Sequence, residues 1–378
     1  MFFPPLRVTL GLCCALLTMG LLCAAPGRGH AEDAPPRTGA TAPASTITAG
    51  VLPTALALLP GIAVHGAGTF FAGDRRAAKR LAVSGAVGFT TFFVSGAILA
   101  STGTARRLVG PVVPLVLAGG GVFFLSWLAD IYGAATGGRD ATAARVLPEL
   151  ESELGYRYVH DPQFEYASFM EARLHLRHGA WRASPSALVA LDDNNQRLEL
   201  ELAYRIFGRR TGTRSNDGSH LELASGLLYH HYGHERFSVW TPSFAFLGRL
   251  DLAHVGESLR GAFVEGLLGA GLELYDFPVA GTRPRESAFG LLLARMAFGV
   301  YFGGRGEARN GELTVYYDHR HDDFAAGFGL QGIASGILGH LGTAAHYYFG
   351  EHYGFGTLFE LGSAAVGSVT FRYRGGRT

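Results

Sequence analysis

The chain has 378 residues, with 32 Lys and Arg against 31 Asp and Glu and a formal net charge of +1. A balance so near neutral excludes a nucleic-acid binder driven by net charge. Charged residues make up 17%, below the roughly 25% of soluble domains, while aromatics reach 12% and Gly numbers 54, a composition suited to contact with lipid.

Residues 1–31 read as a secretory signal. Arg7 supplies a short basic start, Val8 to Ala25 carry no charge, and Gly29-His30-Ala31 places small residues at the −3 and −1 positions of a cleavage site. An uncleaved anchor helix is the alternative. A lipoprotein site at Cys23 is disfavoured by Leu22, where a small residue is expected. All three cysteines (Cys13, Cys14, Cys23) lie in this segment, so the chain after Ala31 has none and cannot rely on disulfides. Residues 32–50, opening with Ala34-Pro35-Pro36-Arg37-Thr38, read as a flexible linker.

Residues 51–138 form an apolar helical segment with three stretches, Leu52 to Ala72, Leu81 to Thr102 and Leu108 to Ala135. Basic residues punctuate them at Arg75-Arg76, Lys79-Arg80 and Arg106-Arg107. Each stretch is long enough to span a bilayer, although Gly, Ser, Thr and Pro dilute it; a buried hairpin that never spans is the alternative. Gly85, Gly88 and Gly119-Gly120-Gly121 would let helices approach closely. Within the first stretch stand Pro60-Gly61, His65-Gly66, Gly68 and Gly73-Asp74. Pro60 fixes φ at a helix start, and Gly73-Asp74 makes a turn. Over roughly residues 52–103 this pattern resembles short bacterial helical-hairpin membrane domains, in which Pro-Gly opens an apolar helix and Gly-Asp closes its turn. The resemblance implies membrane association and no chemistry. His65 reads as a packed residue, since a lone His in an apolar helix is more often hydrogen-bonded in place than a ligand.

Residues 139–163 read as a second linker and 164–378 as a sheet whose pattern switches to period two. In the first candidate strand Glu165, Glu171, Arg173 and His175 share one face and Leu174 and Leu176 the other. In the next such run Arg197, Glu199, Glu201 and Arg205 oppose Leu198, Leu200 and Leu202; near the end Phe371 and Tyr373 alternate with polar residues. Such alternation puts one face against an apolar medium and the other against water. Further strands are expected near 181–192, 219–232, 235–250, 258–275, 286–303, 312–321, 324–333, 341–349 and 353–361, with turns such as Asp192-Asp193-Asn194-Asn195 and Arg309-Asn310-Gly311. Strands of about ten residues separated by turns are the signature of a membrane barrel, so about twelve are expected, ten being the next choice. The region resembles bacterial outer-membrane β-barrels, whose last strand ends on an aromatic residue. Tyr373 fills that place, but Arg374-Gly375-Gly376-Arg377-Thr378 follows it.

The fold class expected is therefore a mixed membrane protein: a helical hairpin or three-helix segment, then an antiparallel transmembrane β-barrel. The alternative is an inner-membrane helical protein with a periplasmic β domain. No catalytic residue is assigned. The cluster from Tyr316 to Asp323 places His319, His321 and Asp323 on one face, a weak metal candidate, and no Ser lies two residues from either His as a strand-borne dyad would need. No cofactor is expected. The reading is a non-enzymatic barrel of the outer membrane, a narrow pore or a structural element, with a lipid or lipopolysaccharide hydrolase as the alternative. Its partners would be the lipid bilayer, with lipopolysaccharide and the barrel-assembly machinery as candidates, and no nucleic acid.

Overall fold

The computed structural model describes residues 50–376 apart from 104–105, 139–140, 145, 162–166, 234–236, 277–287, 304–309, 322–323 and 325–338. The expected signal and most of the first linker lie outside the described residues, as do Glu165 and Asp323.

Twelve antiparallel strands close into a barrel: β1 (Leu150–His160), β2 (Ser168–His178), β3 (Trp181–Ala190), β4 (Gln196–Gly208), β5 (His220–Tyr232), β6 (Phe237–Asp251), β7 (Ala262–Asp276), β8 (Ala288–Gly303), β9 (Asn310–Asp318), β10 (His340–Tyr348), β11 (Tyr353–Leu361) and β12 (Ala365–Gly375). Each strand pairs with its sequence neighbours, and β1 pairs with β12 from Leu150↔Gly375 to His160↔Ala365. Closure leaves no free edge, so every wall strand has a ladder on both sides.

One strand expectation is corrected. The barrel begins at Leu150, inside the segment 139–163 expected as a linker. Acidic residues and Pro148 make 148–153 look like a solvated connection, and only Tyr156 and Tyr158 against Arg157 show the alternation. The candidate strand 324–333 lies, apart from Phe324, outside the described residues, and β9 pairs directly with β10 through Asp318↔His340.

The helical segment precedes the barrel: α1 (Val51–Leu58), a 3-10 turn (Pro60–Ile62), α2 (Ala67–Phe71), α3 (Arg75–Ser101) and α4 (Arg106–Thr136). The first apolar stretch is therefore not one long helix. It breaks at Pro60-Gly61 and again at Gly66, whose φ of +86° only glycine adopts readily. A Cβ at Gly66 would lie 2.3 Å from the Ala78 carbonyl oxygen. Asp74 caps α3, accepting from the Ala77 amide at 2.8 Å. The pair α3–α4 packs closely through Gly88 and Gly119, where added Cβ atoms would fall 2.5 Å from the Phe123 amide and 2.4 Å from the Phe92 amide.

The pair leans on the outside of the wall. Ala77 and Leu81 of α3 and Ala129 of α4 join Leu252, Leu259 and Ala262 in one buried cluster, flanked by Tyr132, Val264, Phe298 and Val300. Asp74 also accepts from the Ser258 hydroxyl at 2.9 Å, so one carboxylate both starts α3 and fastens it to the β6–β7 turn.

Candidate functional site: the barrel lumen

Inside and outside follow from ion pairs that join strands which are not neighbours. Arg249 on β6 donates two hydrogen bonds of 3.0 Å to Glu312 on β9, three strands away, which is possible only through the interior. The paired registers then carry one parity around the whole wall. Glu171, Arg173, His175, Arg197, Glu199, Glu201 and Arg205 point into the lumen. Leu174, Leu176, Leu198, Leu200, Leu202, Phe371 and Tyr373 lie on the outer surface. Leu198, Leu200 and Leu202 are 44–49% exposed there, an apolar belt without a protein covering. Aromatic pairs lie on the outer surface toward each end of the wall, Trp181 with Tyr204 near one mouth and Tyr229 with Trp240 near the other.

Buried charges in the lumen are paired, as the cost of desolvation demands. Arg157 and Glu171 meet at 2.8 Å, and the Ser368 hydroxyl donates to Glu171 across β1 at 2.7 Å. Glu222 accepts from both Arg182 at 2.8 Å and Arg205 at 2.5 Å. Tyr348 on β10 donates to Glu151 on β1 at 2.8 Å, and Arg177 closes on the same carboxylate at 2.7 Å. Arg295 stacks over the Tyr316 ring at 3.9 Å, and the Tyr316 hydroxyl donates to Glu360 at 2.6 Å.

Two cavities occupy the lumen, of about 320 Å³ and about 490 Å³. They share six lining residues, His175, Arg249, Glu265, Glu312, His346 and Arg372, which mark the level where the two adjoin. The smaller cavity lies toward the mouth where β1 begins and β12 ends, here the near mouth. Its outer boundary is a strap, residues 141–144 and 146–149, that lies across this mouth. Ala143 packs between Phe263 and Tyr301, Val146 bridges Arg214, and Arg177 donates to the Pro148 carbonyl at 3.3 Å. Arg209 donates to the Ala144 carbonyl. The strap enters beside β7 and leaves into β1, which stand six strands apart in a twelve-strand ring, on opposite walls.

Sequence reasoning missed the strap, whose residues Ala141-Thr142-Ala143-Ala144 carry no signal beyond being small enough to fit. It also missed a His–Ser contact, since it sought the pair on one strand. His175 Nδ1 lies 2.8 Å from the Ser184 hydroxyl on the neighbouring strand, with Glu153 3.9 Å from Nε2. The last distance is beyond hydrogen bonding, and Arg182 donates to the same hydroxyl at 2.8 Å, so these side chains belong to the ion-pair network. His319 is buried against Tyr317, whose hydroxyl is 2.9 Å from its Nδ1, with the His321 ring 4.9 Å away. Among the described residues no group of three metal-ligating side chains converges.

In the helical motif His65 is buried with Nδ1 2.6 Å from the Ser126 hydroxyl. Asp130, fully buried, accepts from the amides of Gly68 and Thr69 at 3.1 and 2.8 Å. These bonds tie the Gly61–Asp74 turn region to α4.

No protein-family model matches the chain, and no curated protein does. Solved structures that match are barrels. The KdgM porin in complex with disordered oligogalacturonate aligns at TM-score 0.34 and 9% identity, covering 60% of this chain and 99% of its own. The NanC porin aligns at 0.34 and 11%, covering 60% and 100%. The translocator domain of the autotransporter NalP from Neisseria meningitidis aligns at 0.35 and 14%, covering 60% and 88%. At these values the fold rests on the strand pairing of this chain itself.

Proposed function

We propose that this chain is a non-enzymatic β-barrel of the outer membrane, exported by residues 1–31 with cleavage after Ala31, and that it is a narrow pore held shut. The observation that carries this reading is the transverse layer centred on Arg249–Glu312, with a cavity on either side and a strap across one mouth. A purely structural barrel would have no use for two polar chambers separated by a few side chains. The longest connection, residues 319–339, joins β9 to β10 at the far mouth, which accordingly faces the cell exterior, and the strapped near mouth faces the periplasm. Charges of both signs line the lumen, so the pore would show little preference between small cations and anions.

Purified protein in planar lipid bilayers tests the reading. Wild type should show rare, small current steps, and Arg249→Ala with Glu312→Ala should raise conductance several-fold. Replacing residues 141–148 by Gly and Ser should raise it further. Silence from all three proteins, each showing heat-modifiable gel mobility, would leave a structural role instead.

A further inference from the structure

The pair α3–α4 presents a large apolar surface that neither the barrel nor the rest of the segment covers. Phe93 is 62% exposed, Phe89 53%, Val94 52% and Phe124 54%. Only 22% and 17% of the most apolar windows of the two helices are buried, whereas a core helix of a soluble protein is mostly buried. At 27 and 31 residues and 1.5 Å of rise per residue, the helices are roughly 40 and 46 Å long, enough to cross a hydrocarbon layer of about 30 Å. We propose that this pair is inserted in the same bilayer as the barrel, beside β7 and β8, with its uncovered faces against acyl chains. The proposal rests on the outer-membrane reading above.

Three observations identify lipid as the occupant. First, the surface is continuous with the outer belt of the barrel. Gly121 of α4 sits where a Cβ would strike the Met296 sulfur, Tyr132 packs on Phe298, and Gly133 touches Leu259. Met296 lies further from the near mouth than Phe298, so α4 climbs the wall from the rim instead of leaving it. Second, charge is arranged for a membrane. No acidic residue occurs between Arg75 and Asp130, and Arg75, Arg76, Lys79 and Arg80 are exposed where α3 meets the rim, at the height of lipid headgroups. Arg80 itself donates to the carbonyls of His254 and Val255 at 2.6 and 3.0 Å. Third, several polar side chains are turned away from lipid or satisfied locally. His65, Ser126 and Asp130 are buried, and the Ser95 and Thr102 hydroxyls donate to the carbonyls of Thr91 and Ile98.

Nitroxide labels at single cysteines test this in the full chain bearing Cys13→Ser, Cys14→Ser and Cys23→Ser, reconstituted in phosphatidylethanolamine–phosphatidylglycerol vesicles. Phe93→Cys and Phe124→Cys report on the pair, Leu200→Cys on the barrel wall and Thr213→Cys on the exposed near-mouth loop. The expected result is that Phe93→Cys and Phe124→Cys match Leu200→Cys, open to oxygen and closed to a water-soluble nickel complex. If they match Thr213→Cys while Leu200→Cys stays in lipid, the barrel stands and the proposal fails. Exclusion of both oxygen and nickel at Phe93→Cys and Phe124→Cys would mean a covering protein, a second copy or another partner, and also overturns it. Water at Leu200→Cys would sink the membrane reading itself. Val94→Cys and Val122→Cys repeat the measurement should a label at either Phe disturb folding.

Discussion

Single residues carry the division between a wet lumen and an apolar exterior. Leu200 on β4 points outward beside Glu199, which points inward and lines the larger cavity. Leu200→Arg therefore places a cation on the outer belt and should cost about 2–4 kcal/mol if that belt meets lipid. Glu199→Leu alters only the lumen and should cost less. A folding titration into lipid vesicles checks the pair, and equal costs would argue for a soluble sheet. His319 offers a pH test outside the wall. Burial pushes its imidazole from 6.5 down to about 4, and neighbouring His321 adds to the effect. A depressed histidine is neutral in the fold but protonates in the unfolded chain as pH falls below 6.5, so it weakens the fold progressively between pH 6.5 and 4. Protection of the amides at residues 317–321, taken relative to the intrinsic exchange rate at each pH, should fall over that window in wild type and change less in His319→Gln.

At the scale of elements, close approach of α3 and α4 depends on glycine. Gly88→Val would drive side-chain atoms into the backbone at Phe123, where no flexible group can move aside. The substitution should separate the helices at a cost of about 1–3 kcal/mol, seen as earlier thermal loss of helical circular dichroism while the barrel signal persists. Gly96→Val, open to space on the same helix, is the control. The same elements show what the sequence makes legible. Strands such as β4 announce themselves because every second residue from Leu198 to Tyr204 is apolar and outward, while the inward residues between them are charged except for the small Ala203. β1 hides because its outward positions begin with Leu150 and Ser152 and its inward ones with Glu151 and Glu153, which together read as an acidic linker. Lumen-facing charges could be named from alternation, but not their partners. The bond from Arg249 to Glu312 joins residues whose nearness exists only once twelve strands close.

Across the whole molecule, the helical segment and the barrel are joined twice, by packing on the outer wall and by the strap inside the mouth. The strap is fixed at both ends: a Cβ at Gly138 would touch the Glu257 carbonyl 2.8 Å away on the outer rim, and Leu150 is locked into the ladder with β12. The chain between them can extend to no more than about 40 Å. Twelve strands spaced about 4.8 Å and tilted near 40° enclose a ring roughly 25 Å across. The strap is thus longer than the mouth is wide by about 15 Å, and contacts at Ala143, Ala144, Val146 and Pro148 hold it there as a leash. Those contacts must break before it can bow out of the mouth, and its fixed ends keep it from leaving. If the barrel is the pore proposed above, a shift of the helix pair along the wall would strain these bonds, making the position of two helices outside the barrel a mechanical input to its mouth.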